Sequence, residues 1–126
     1  MYKRLLATGV FAAACASPLA LPSAFAQTYP VKPIRVIIPF PPGEGPDIIL
    51  RKASDDMVRR MGQSWVVENR PGAGGIIAAK AGASAPADGY TLTMTGNGMT
   101  ISKSLFRSLP YDVLRDFQPI SVMAWL

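Results

Sequence analysis

Histidine is absent from this 126-residue sequence, and cysteine occurs once, at Cys15. The sequence therefore lacks the commonest general acid–base side chain, and beyond Cys15 it has no thiol for a disulfide or a nucleophile. A G-x-S-x-G elbow and a convincing cluster of metal ligands are also missing. We therefore predict a protein that is not an enzyme, with no catalytic residues, no metal site and no cofactor.

No hydrophobic run reaches the roughly 20 residues that span a membrane. The most apolar segment, residues 5–16, follows the basic pair Lys3 and Arg4 and precedes an Ala-Phe-Ala sequence at residues 24–26. This order is typical of a secretory signal peptide. We predict that residues 1–26 are a signal peptide cleaved after Ala26, and that the protein works outside the cytoplasm without stable membrane insertion.

Charge of one sign is not concentrated anywhere. The net charge is +5, with acidic and basic residues interspersed, and it falls by two when Lys3 and Arg4 leave with the signal. So small an excess does not indicate a nucleic-acid partner.

Three times the sequence passes from an apolar strand through a glycine-rich turn to a helix. This alternation is typical of an α/β fold with a mostly parallel sheet. A further strand is predicted at residues 120–126, with no element after it, so we expect the fold to be incomplete in this chain. The predicted strands are residues 34–40, 65–68 and 90–94, and the predicted helices are 47–61, 76–85 and 100–106.

The three glycine-rich turns are the natural place for a ligand. In open parallel sheets, ligands bind beyond the carboxyl ends of the strands, where helix starts present free backbone amides. Such amides favour an anion, and a carboxylate fits them. The residues themselves leave simpler interpretations open, because glycine is common in ordinary turns and Asp47 is a common type of helix-start residue.

Four motifs occur in order: Pro-Phe-Pro-Pro-Gly at residues 39–43, Val-Glu-Asn-Arg-Pro-Gly-Ala-Gly-Gly at 67–75, Asp-Gly-Tyr-Thr-Leu at 88–92 and Leu-Pro-Tyr-Asp at 109–112. Residues 116–121, Asp-Phe-Gln-Pro-Ile-Ser, add a fifth. On these motifs the chain resembles the Bug family, the periplasmic solute receptors related to the substrate-binding subunit of tripartite tricarboxylate transporters.

The resemblance implies a two-lobed, flytrap-like protein of the periplasm. Such a protein closes on a small, carboxylate-bearing solute for uptake or sensing and does not convert it chemically. Residues 27–126 would form the N-terminal part of the first lobe, with the second lobe and the return strands absent. Membrane components of a tripartite transporter are the partners that the resemblance implies.

The same resemblance assigns the ligand contacts to the turns after the first and third strands. The family commonly has a second glycine where this chain has Glu44, and often a histidine near Met99. A carboxylate at residue 44 would repel an anionic ligand, so Glu44→Gly is expected to raise its affinity. The implied ligand-binding residues are Phe40, Gly43, Gly45, Asp47, Asn97, Gly98 and Met99.

Two alternatives remain open from the sequence. The chain could be a truncated product with no binding function, because missing strands would leave an unpaired sheet edge. It could also belong to an exported enzyme whose catalytic groups lie in the missing part.

Overall fold

A computed structural model describes residues 28–123, so the predicted signal peptide and its cleavage site lie outside the described residues. Within these residues, no helix has the length and apolar character needed to cross a membrane. The elements are β1 (Ile34–Ile38), α1 (Gly45–Met61), β2 (Trp65–Asn69), α2 (Ile76–Ala83), β3 (Thr91–Thr93) and α3 (Asn97–Leu105), and a single 3-10 turn at Ala73–Gly75 precedes α2.

The three strands form a parallel sheet in the order β2-β1-β3. The central strand β1 is apolar at four of its five positions, as a strand covered on both faces requires. It ends at Ile38, two residues before the predicted boundary, where Pro39 removes the next backbone donor. The prediction of an α/β fold with a parallel sheet is confirmed.

Each face of the sheet has its own hydrophobic cluster. Alternate residues of β1 pack with Leu50 of α1 on one face. Ile37 points to the other face, where α2 contacts β3 so closely that a Cβ on Gly82 would clash with the Thr93 hydroxyl oxygen. The second cluster there joins Ala79, Met99 and Tyr111. The two clusters fix α1 and α2 on opposite faces of the sheet.

Helix α1 follows its sequence signals closely. Pro46 lies in the first turn, where its missing amide costs no hydrogen bond. Gly62 ends the helix in the left-handed conformation at φ 71°, and its amide donates to the carbonyl of Val58 over 2.9 Å.

Most of the predicted boundaries lie within two residues of the observed ones, and two predictions differ by more. Helix α3 begins at Asn97 rather than Thr100, because extended Gly96 caps the helix and its carbonyl accepts the Met99 amide. Residues 120–123 of the predicted last strand are not a strand, since they pair with none of the described residues and Ile120 is 78% exposed. Residues 124–126 lie outside the described range.

Candidate functional site

Three turns follow β1, β2 and β3 and contact one another at the carboxyl edge of the sheet. The first turn is residues 39–45, the second is 70–75 and the third is 94–98, where the first and third include the opening residues of α1 and α3. A Cβ on Gly96 of the third turn would lie 3.3 Å from Cζ of Phe40 in the first. A Cβ on Gly98 would lie 2.5 Å from the carbonyl oxygen of Gly74 in the second turn. A side chain at Gly98 would force the start of α3 away from the second turn, whereas one at Gly96 would require a small shift of the Phe40 ring. Small residues at these positions therefore allow the three turns to lie close together.

Asp47 is the centre of the hydrogen bonds beneath the first turn. Its carboxylate accepts the Gly43 amide over 2.8 Å, the Asn69 side-chain amide over 2.9 Å and Arg51 Nε over 3.0 Å. The Asp47 side chain is only 3% exposed. Hydrogen bonds from Arg51, from the Gly43 amide and from Asn69 hold the pKa of Asp47 well below its usual range, so it is ionised at neutral pH.

These bonds decide which amides of the first turn are free. The Gly43 amide is taken by Asp47, and the Glu44 amide donates to the Pro41 carbonyl over 3.4 Å. None of the residues from 28 to 123 accepts a hydrogen bond from the Gly45 amide, which opens α1. Glu44 precedes it in an extended conformation, with an exposed side chain.

The third turn places Asn97 and Gly98 at the surface, at the start of α3. Within the described part of the chain, the amides of these two residues have no acceptor. The Met99 side chain points the other way and is 4% exposed, packed in the cluster with Ala79 and Tyr111.

The predicted site residues therefore occupy three different environments. Five of them lie together at the edge, Asp47 lies beneath these as a hydrogen-bond acceptor, and Met99 lies in the core. Of the five, three have free amides, while the Gly43 amide is taken by Asp47 and Phe40 is half-buried. At the edge are Phe40, Gly43, Gly45, Asn97 and Gly98.

Asn69 and Arg51 belong to this site, although the sequence did not single them out. Asn69 is the last residue of β2, and its side chain donates to the carbonyl of Phe40 as well as to Asp47. The sequence signal that indicates Asn69 is its position as a polar residue at the carboxyl end of a parallel strand, where ligands bind in open sheets. Arg51 gave no such signal, because its position on α1 resembles that of any solvated charge.

The chemical groups that the edge offers are backbone amide donors. Free amides at the starts of α1 and α3 carry partial positive charge. No group of three potential metal-ligating side chains occurs among residues 28–123.

Comparison with known proteins identifies the family. A family model described as "Tripartite tricarboxylate transporter family receptor" matches residues 49–126. The chain belongs to this receptor family. The Bug resemblance is confirmed as well, because the chain is 42% identical to Protein BugT of Bordetella pertussis over an alignment 125 residues long, which covers 95% of this chain and 37% of BugT.

Solved structures of receptors share the fold. The chain superposes on the periplasmic binding protein BugD with a TM-score of 0.68 at 34% identity, covering 73% of this chain and 31% of BugD. It also superposes on MatC of Rhodopseudomonas palustris, which was solved with bound malate. The TM-score is 0.69 at 34% identity, and the match covers 75% of this chain and 33% of MatC. The chain thus spans about a third of the length of these receptors.

Proposed function

We propose that this receptor binds a small, carboxylate-bearing solute at the edge formed by the first and third turns and releases it unchanged. The observation that carries the proposal is that the free amides of Gly45, Asn97 and Gly98 lie at the starts of two helices, which follow neighbouring parallel strands at the same edge of the sheet. Two helix starts aimed at one edge stabilise negative charge there without any acid–base group. Malate in MatC, a receptor of the same fold, supports a carboxylate as the ligand class.

The location and partners form part of the same proposal. Residues 1–26 would direct export to the periplasm, and residues 27–126 would form part of the first lobe of a two-lobed receptor. A second lobe would close over the turns and cover the ligand. The family description supports delivery of the solute to membrane components of a tripartite transporter.

Malate is the first ligand to test, because it is the one bound by MatC. The test uses an extended chain, in which residues 27–126 are joined to the C-terminal part of BugT that this chain does not match. A ligand that binds only the folded state stabilises it by about 2.7 kcal/mol at a hundredfold excess over its Kd. We therefore expect malate or a related organic acid to raise the Tm of the extended chain.

The matched control is an uncharged analogue, the diamide of malate, at the same concentration. A folded extended chain whose Tm is unmoved by any organic acid in a broad panel would contradict the proposed function.

A further inference from the structure

Asp47, Asn69 and Arg51 form a closed ring of hydrogen bonds beneath the first turn. Asn69 Nδ2 donates to Asp47 Oδ1 over 2.9 Å, Arg51 Nε donates to Asp47 Oδ2 over 3.0 Å, and Arg51 Nη2 donates to Asn69 Oδ1 over 3.0 Å. Each member therefore contacts both others. The ring joins the start of α1 to the end of β2.

We infer that Asn69 and Arg51 are positioning residues of the proposed carboxylate site, acting through Asp47 to fix the first turn. The inference rests on the proposed function. On this inference, the ring determines which backbone amides of the first turn can donate to a ligand.

The first step of the argument is the Gly43 amide. It donates to Asp47 Oδ2 over 2.8 Å, and Gly43 takes φ 85°, a conformation that glycine adopts without strain. A turn anchored in this way cannot also offer the Gly43 amide to a ligand. The ring thereby takes the Gly43 amide and leaves the Gly45 amide, at the start of α1, free to donate.

The second step is the distance between the first and third turns. Asn69 Nδ2 also donates to the Phe40 carbonyl over 3.0 Å, so the ring holds the backbone of Phe40 as well as Asp47. The Phe40 ring faces Gly96, immediately before α3. A shift of Asn69 would therefore move Phe40 and change the spacing between the amides of Gly45 and Asn97.

The third step is charge. An unpaired Asp47 carboxylate below the turn would repel a bound carboxylate, whereas the ion pair with Arg51 at 3.0 Å offsets its charge. The guanidinium fork serves two acceptors in fixed geometry, which a lysine ammonium at the end of a flexible stem does not reproduce. Arg51→Lys would keep the charge and lose the closed ring.

The first arm of the test is an NMR measurement on the ligand-free extended chain. In Asn69→Ala and in Arg51→Lys we expect the Gly43 amide proton resonance to move and its hydrogen exchange to accelerate, because its anchor is no longer held in place. Arg60→Lys is the matched control, an exposed arginine on the same helix. An unchanged Gly43 resonance and exchange rate in both ring variants would overturn the inference.

The second arm measures malate affinity by calorimetry on the extended chain. A displaced first turn no longer places its amide on the ligand, and losing one such charge-assisted hydrogen bond weakens binding about tenfold. We expect this loss in Asn69→Ala and in Arg51→Lys, and no change in Arg60→Lys. Because the Arg51 side chain is half exposed, Arg51→Lys should fold and keep its Tm, so lower affinity there reports positioning rather than lost stability.

The two failures are distinguishable. A folded wild type that binds no carboxylate would overturn the proposed function. A wild type that binds malate, with equal affinity in Asn69→Ala and Arg51→Lys, would overturn the positioning role alone.

Discussion

At the scale of single residues, Asp47 and Glu44 have opposite relations to the proposed ligand. Asp47 is buried and its charge is offset by Arg51, while Glu44 is exposed beside the free Gly45 amide. Two carboxylates three residues apart therefore differ in what they do. The first shapes the turn, and the second adds negative charge where an anion would bind.

Removing the Glu44 charge should strengthen binding. We expect Glu44→Gly and Glu44→Gln in the extended chain to bind malate two- to fivefold more tightly at low ionic strength, since an exposed charge near a helix start is worth about 0.3–1 kcal/mol. The gain should shrink at high salt because screening weakens the repulsion. Calorimetry at two salt concentrations measures this. Equal or weaker binding in both variants would show that the glutamate is tolerated or contributes a contact.

Asp47 should make the free energy of unfolding fall as the pH is lowered into the acid range. Its pKa is lowered in the folded state by Arg51, the Gly43 amide and Asn69, so it stabilises the fold above its unfolded pKa of about 3.9 and loses that contribution as pH falls below this value. Asp88, Asp112 and Asp116 also have lowered pKa values and share this dependence.

We therefore expect Asp47→Asn to be less stable than the wild type at pH 7 and to lose less stability between pH 5 and pH 2. Urea unfolding of the extended chain, followed by circular dichroism across this range, measures both. Asp55→Asn, an exposed change on the same helix, is the control. Parallel pH profiles for wild type and Asp47→Asn would contradict the assignment.

At the scale of secondary-structure elements, the approach of α3 to the second turn depends on one glycine. A Cβ at Gly98 would lie 2.5 Å from the Gly74 carbonyl oxygen, and neither group belongs to a flexible side chain. We expect Gly98→Ala to destabilise the chain by about 1–3 kcal/mol, the usual range for overpacking.

The control for Gly98→Ala is Gly45→Ala, where a Cβ would meet no atom within 4 Å and φ is not positive. Urea unfolding should show a small change for Gly45→Ala and a large one for Gly98→Ala. Similar stabilities for the two variants would show that α3 can move away from the second turn without cost.

The elements themselves could largely be predicted, because their signals are local. The apolar sequence of β1 indicates a buried strand, and Pro46 and Gly62 mark the two ends of α1. The alternation of strands with helices then predicts the parallel sheet. The sequence predicts the start of α3 three residues late, since the Gly-Asn-Gly sequence formed by its cap and first two residues has weak helix propensity. The contacts of Asp47 with Asn69 and the burial of Met99 depend on tertiary packing, which no local pattern contains.

At the scale of the whole molecule, this chain spans about a third of the length of its relatives and leaves apolar surface uncovered. Leu114 is 82% exposed and Leu105 is 72% exposed. Strands β2 and β3 each have one edge that pairs with no other strand in residues 28–123. Exposed apolar patches and open edges favour association between molecules.

We expect residues 27–126 alone to associate as their concentration rises, and the extended chain to remain monomeric. Sedimentation velocity over a hundredfold range of concentration compares the two. A monomeric, cooperatively unfolding fragment would show that these surfaces need no cover.

The central claim is that a carboxylate binds where the first and third turns meet. Its most direct test is a crystal structure of the extended chain with malate. We predict a malate carboxylate oxygen about 3 Å from the amide nitrogen of Gly45 and from that of Asn97 or Gly98, as hydrogen bonds require. Malate bound away from these amides would contradict the claim.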